Sequence, residues 1–203
     1  MRPMSEVLRM GVMGGSFDPI HYGHLSLASQ AAFRYGLDRV AFAPTNFSLQ
    51  KKPEASPQDR CAMAFMAVSK DPRFFLSKVD IDRGGPTFAF DTLCDLHSLY
   101  APCRLFFILG IDALLGMEKW KNWERLFEIS EFIAAARPGY PLRLPQKMEG
   151  KVEVFSPPLL GISSTMIRKK AAAGEPIDYL TDPGVCSFIR SRGLYRRENC
   201  PQS

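Results

Sequence analysis

Apolar residues along this chain come in short runs set between longer stretches where they recur every three or four positions. Residues 7–13 and 40–43 read as strands, and 105–109 and 132–136, apolar on both faces, read as buried strands. A strand is predicted over 74–81, placed at a sheet edge, and a late short one over 152–155. The intervening pattern is helical. Leu25, Ala28, Ala32 and Tyr35 share one face of a helix over 24–35 that Gly36 stops. Ser56 followed by Pro57 starts a helix running to about residue 69, with Asp59 favoured in its first turn. Further helices are predicted over 88–99, 114–120, 123–129, 165–173 and 183–192, the last two closed by Gly174 and Gly193. Strands alternating with helices predict an α/β fold: a Rossmann-like open parallel sheet with helices on both faces and a small C-terminal helical part over about 164–196. The Pro- and Gly-rich stretch 138–150 is read as a loop, so residues 1–203 are expected to form one domain.

Composition narrows the class. Hydrophobic residues make up 46% and charged residues 23% of the 203, enough for a core and too little charge for disorder. The formal net charge of +5 fits either ordinary solubility or attraction for polyanionic small molecules. Arg190, Arg192, Arg196 and Arg197 cluster near the C-terminus as a solvated face or tail; without aromatic interleaving they do not predict a nucleic-acid partner. The five cysteines are odd in number and form no CxxC pair, which argues against a disulfide framework or a zinc ribbon. The N-terminus lacks the apolar core of a signal peptide and no run of about 18 apolar residues occurs. A cytoplasmic enzyme without membrane association is expected; the oligomeric state is not set by the sequence.

The loop after the first strand, Gly14-Gly15-Ser16-Phe17-Asp18-Pro19-Ile20-His21-Tyr22-Gly23-His24, lies where a parallel sheet binds ligands, at the carboxyl edge. Its glycines permit close approach of backbone to phosphate, and the following helix offers free N–H groups and a positive dipole end. There is no Walker lysine, so a P-loop is excluded. His21 and His24, three apart at a helix start, share a face and are placed to donate to one phosphate. The lack of a third nearby ligand argues against zinc. A second constellation, Gly161-Ile162-Ser163-Ser164-Thr165-Met166-Ile167-Arg168, opens a helix with hydroxyls that either cap it or join its N–H groups around an anion. Arg168, one turn on, is either a surface residue or a cation reaching the same phosphates.

The first segment matches GxFDPxHxGH at every fixed position and resembles the signature of the nucleotidylyltransferase superfamily; the second resembles its ISSTxIR motif. The resemblance spans roughly residues 8–196. It implies that His21, His24 and Arg168 are catalytic, that Gly14, Gly15, Ser16, Phe17, Gly110, Asp112, Ile162, Ser163 and Ser164 bind ATP, and that Mg²⁺ accompanies ATP without a dedicated protein metal site. Intermediate segments resemble the bacterial nicotinate mononucleotide adenylyltransferases, which makes nicotinate mononucleotide the implied acceptor. Nicotinamide mononucleotide, phosphopantetheine or FMN is the alternative. Asp112, in Gly110-Ile111-Asp112, corresponds to a ribose-binding carboxylate or else caps a helix. Trp120 corresponds to a tryptophan that stacks on the nicotinate ring, with Trp123 its competitor. Arg137 lies in an RPGY-like segment and Gly193-Leu194-Tyr195 matches a terminal GLY. Thr87, Phe88 and Ala89 resemble the carboxylate-binding PSYT, with Ala89 where threonine is usual. Asn46 and Lys51 are further acceptor contacts, although Ser48-Leu49-Gln50-Lys51 departs from the usual PPHK.

Overall fold

A computed structural model describes residues 7–47, 52–137, 139–140, 144–158 and 160–196. Six strands form one sheet: β1 (Leu8–Gly15), β2 (Arg39–Pro44), β3 (Phe74–Leu76), β4 (Cys103–Gly110), β5 (Ser130–Ala135) and β6 (Val152–Phe155). All neighbours are parallel and the order is β3-β2-β1-β4-β5-β6. This is the doubly wound Rossmann order, and it reverses direction between β1 and β4, where a crevice opens at the strands' carboxyl ends.

The strands divide their side chains with period two, so each strand feeds two cores. Met13, Val40, Phe42, Phe106, Ile108 and Ile133 enter one core; Met10, Val12, Ala41, Leu105, Phe107 and Phe132 enter the other. The first core is covered by α1 (Tyr22–Arg34) and α2 (Pro57–Val68), the second by α4 (Ala89–Tyr100), α5 (Ile111–Leu115) and α6 (Leu126–Ile129). The C-terminal helices α7 (Ser164–Ala172) and α8 (Pro183–Ser191) are not an appendage. Ile167, Val185, Cys186 and Ile189 are buried in the same core as α1 and α2. Among the described residues no helix is long and apolar enough to cross a membrane.

The predicted strand over 74–81 is corrected. Pairing with β2 stops at Leu76, and residues Val79–Arg83 form a short helix, α3. The Val-Asp-Ile-Asp alternation mimics a strand, but Asp80 is 1% exposed and held by the hydroxyl of Thr92 and by Arg83. An i,i+3 ion pair with Arg83 requires helical spacing, and Arg83 also pairs with Asp95 of α4. The segments predicted as helices over 114–120 and 123–129 are broken. Residues Met117–Lys119 and Trp123–Arg125 are 3₁₀ turns, and Trp120 and Asn122 leave helical geometry. The first helix begins at Tyr22, with His21 as its N-cap, rather than at residue 24.

Candidate active site

The loops at the β1–β4 reversal leave from the carboxyl ends of those strands, where this sheet order places its ligand crevice. His21 caps α1 in extended conformation, and no acidic residue occupies the first turn, so the helix's positive end faces the loop uncompensated. The two imidazoles are stacked, with centroids 3.7 Å apart and planes 27° apart. The backbone N–H of His21 donates to Nδ1 of His24 at 3.2 Å. An accepting Nδ1 leaves Nε2 of His24 as the hydrogen-bearing nitrogen. Beneath it, Phe17 lies buried in the left-handed region at φ 47°, its ring edge-on to His24 at 5.1 Å. The side chain of Phe17 therefore supports the site from below, and only its backbone remains for a ligand.

Both histidines are held neutral. Burial, reinforced by the Arg137 guanidinium, lowers the pKa of His21 to about 4. Burial pushes His24 down as well, helped by His21 and Arg137. Arg137, just beyond β5, reaches across to Asp112, with Nη1 to Oδ2 at 3.4 Å. Asp112 is the second residue of α5, whose N-cap is Gly110, so the cap alternative for Asp112 is not what the structure adopts.

Two glycines make room for these side chains. A Cβ on Gly23 would lie 2.9 Å from the His21 ring, and one on Gly110 would lie 2.4 Å from Oδ1 of Asp112. Among the described residues three buried side-chain atoms lack a hydrogen-bond partner: Nδ1 of His21, Oγ1 of Thr45 and Oδ1 of Asp112. They lie just beyond β1, β2 and β4, at the same edge of the sheet. Buried polar groups without partners are rare, and their collection at one edge marks a place prepared for a polar ligand.

The C-terminal constellation converges on this loop. Oγ of Ser164 donates to the carbonyl of Pro19 at 2.8 Å, across 145 residues of chain. Nη1 of Arg168 donates to the carbonyl of Asp18 at 2.8 Å, while Nε donates to Glu54 Oε1 at 2.6 Å. The carbonyl of Ile162 lies 3.6 Å from where a Gly23 Cβ would sit. Ser163 is the N-cap of α7 and accepts from the Met166 N–H at 3.2 Å, so its hydroxyl serves the helix.

The segments expected to face the acceptor are tied to one another. Asn46 donates through Nδ2 to the carbonyl of Gly85 at 3.0 Å, and its N–H donates to Oγ1 of Thr87 at 2.9 Å. Asn46 and Thr87 thus join two loops to each other. Phe88 caps α4 without a side-chain hydrogen bond, leaving the first N–H groups of α4, beginning at Ala89, open. The ammonium of Lys121 sits 4.4 Å from the centre of the Phe88 ring. Trp120 packs edge-on to Phe107 of β4, at 6.3 Å, and Phe107 lies beneath Gly14. Trp123 turns instead to Phe127 and Lys147, on the flank of α6. Lys51 lies outside the described residues. Thr45 and Arg60 were missed from the sequence. Thr45 was legible as a hydroxyl directly after the second strand, whereas Arg60 carried no signal.

A family model described as cytidylyltransferase-like matches residues 12–170. A curated protein of Saccharopolyspora erythraea named "Probable nicotinate-nucleotide adenylyltransferase" is 46% identical over 198 residues, covering 97% of this chain and 93% of its own. A protein of the same name from Mycobacterium avium is 46% identical over 200 residues, with 93% of both chains covered. Among solved structures, the Plasmodium falciparum nicotinic acid mononucleotide adenylyltransferase complexed with NaAD superposes with a TM-score of 0.74. Its identity is 21%, and the match covers 93% of this chain and 97% of that one.

Proposed function

The chain belongs to the cytidylyltransferase-like family and, within it, to the nicotinate-nucleotide adenylyltransferases, and from that premise we propose how its residues perform the transfer. The enzyme transfers AMP from ATP to nicotinate mononucleotide, forming nicotinate adenine dinucleotide and pyrophosphate. The 5′-phosphate of the acceptor attacks the α-phosphorus of ATP, a new P–O bond forms opposite the bond to the leaving pyrophosphate, and that bond breaks. The nucleophile is already an anion, so no general base is required. The barrier is one of alignment and charge.

The observation that carries this reading is the meeting of the histidine loop with the start of α7, through the 2.8 Å hydrogen bonds from Ser164 and Arg168 to consecutive carbonyls of that loop. In our reading His21 and His24 each give one N–H to phosphate oxygens, and Arg168 neutralises charge gathering on the leaving group. Gly14, Gly15, Ser16 and Phe17 approach ATP through their backbone. Asp112 accepts from a ribose hydroxyl through its unpartnered Oδ1. The free N–H groups of Ser164 and Thr165 hold the pyrophosphate, with Ile162 and Ser163 shaping that helix start. On the acceptor side, Trp120 stacks on the ring, Arg137 meets the phosphate, and the N–H groups of Phe88 and Ala89 take the carboxylate.

ATP enters as its magnesium complex. Asp18, the carboxylate of the phosphate loop, has both oxygens engaged by the N–H groups of Glu54 and Ala55 and by the Tyr195 hydroxyl, so it is not disposed to ligate a cation. Among the described residues no cluster of three His, Cys, Asp or Glu offers an alternative. In this reading magnesium belongs to the substrate, held by phosphate oxygens and water. One sheet closed by its own C-terminal helices supports reading the chain as one nucleotidyltransferase domain, and a cytoplasmic location goes with this reading.

Pyrophosphate release from ATP with nicotinate and nicotinamide mononucleotides, assayed side by side, tests the assignment. Turnover should require the acid acceptor or strongly favour it, and His24→Ala should lower kcat by on the order of 10²–10³. No turnover with nicotinate mononucleotide, or a folded His24→Ala variant with full activity, would refute the corresponding half.

A further inference from the structure

Arg60, in the first turn of α2, is completely buried, at 0% exposure. Its guanidinium donates to three backbone carbonyls: Ser16 at 2.7 Å, Asn46 at 3.1 Å and Ala55 at 3.3 Å. Ser16 belongs to the loop after β1, Asn46 to the loop after β2, and Ala55 to the turn leading into α2. The neighbouring counter-charge, Asp18, is itself tied to the Glu54 and Ala55 N–H groups and to Tyr195. An arginine desolvated among neutral carbonyls is an expensive way to fill a core, where an apolar side chain of similar volume would serve stability as well or better.

We propose that Arg60 is a positioning residue for the transfer reaction, fixing the distance between the loop that receives ATP and the loop that faces the acceptor. The inference rests on the functional reading above. A guanidinium is a rigid planar fork, so two carbonyls bonded to its separate nitrogens are held at a set spacing, which the single flexible nitrogen of lysine does not reproduce. Spacing is what an in-line displacement depends on, because each substrate sits correctly in its own half of the site while the reacting atoms still miss. Arg60 therefore acts on alignment rather than on either binding event.

The test is Arg60→Lys, compared with the parent for kcat, for ATP affinity measured calorimetrically without acceptor, and for acceptor KM. We expect kcat to fall by on the order of 10–10²-fold, while the ATP Kd, the binding stoichiometry and the acceptor KM stay within about threefold. Unchanged kcat in the folded variant, or loss of kcat only in step with loss of ATP binding, would overturn the proposal. If Arg60→Lys does not fold, Arg60→Met, which removes the buried guanidinium and keeps its length, takes the same readouts. Failure of both to fold would make Arg60 a residue of the core alone and overturn the proposal. Should the parent enzyme prove inactive, the functional reading has failed by itself. Amide hydrogen exchange then decides on Arg60: faster exchange in residues 14–17 and 45–47 together, relative to α4, supports the spacing role, and unchanged exchange there overturns it.

Discussion

His21 and His24 stand in contact at the mouth of a positive helix end, and two charged imidazoles stacked at 3.7 Å would repel each other. Their neutrality has a measurable cost. His21 titrates near 6.5 when unfolded and near 4 when folded, so between those values the unfolded chain binds the extra proton. Stability is then complete above pH 6.5 and declines as pH falls toward 4, by on the order of 3 kcal/mol from His21. Urea unfolding at a series of pH values should show this slope in the parent and a shallower one in His21→Asn; equal slopes would place the acid sensitivity elsewhere. Glu54 offers a second residue-scale expectation. Its carboxylate holds the Nε of Arg168, the group proposed to meet the phosphates of ATP, and its side chain is 57% exposed. Glu54→Gln should therefore tighten ATP binding, by up to about fivefold for an exposed pair, as read from the calorimetric Kd. Weaker binding would show that Glu54 orients Arg168 rather than competing for it. The histidines, the glycines and Arg168 were legible from the chain because motif spacing preserves them. Arg60 was not, since its role lies in which carbonyls it meets across the fold, and Thr45 offered only its place after the second strand.

At the scale of elements, the site is built from the segments immediately beyond the strands. β1 leads to the histidine loop, β2 to Thr45 and Asn46, β4 to Gly110 and Asp112, and β5 to Arg137. Strand positions were readable because the sheet is buried on both faces, so the apolar runs are short and nearly continuous. The failure at residues 79–83 has the opposite cause: an alternating sequence was drawn into a helix by the partners of one buried carboxylate, Asp80. The loop roles of Asn46 and Thr87 were hidden for a similar reason, because each uses its polar atoms on the other's segment. Gly110→Ala tests how element ends set chemistry. The backbone there, at φ −77°, tolerates alanine, but the new methyl would displace the carboxylate of Asp112. Thermal stability should change little, while the KM for ATP should rise on the order of tenfold, the value of one hydrogen bond to a charged group. An unchanged KM would remove Asp112 from the ribose contact.

For the whole molecule, the active crevice joins the two ends of the chain. The hydroxyl of Tyr195 donates to Oδ1 of Asp18 at 2.7 Å over 177 residues, Thr181 donates to the carbonyl of Ile20, and the N–H of Tyr22 to that of Leu180. Tyr195→Phe deletes one donor and leaves the ring in place. It should lower stability by about 1–2 kcal/mol in chemical denaturation and weaken ATP binding, because Asp18 anchors the phosphate loop. A variant with parental ATP affinity would reduce Tyr195 to packing. The same long-range ties govern the order in which the molecule becomes competent during synthesis. A nascent chain synthesised to residue 155 contains all six strand segments, yet its histidine loop still lacks Ser164, Arg168, Thr181 and Tyr195. A product released early would lack both these ties and the apolar faces of α7 and α8 that complete the first core, so sheet closure and loop assembly wait together on the last forty residues.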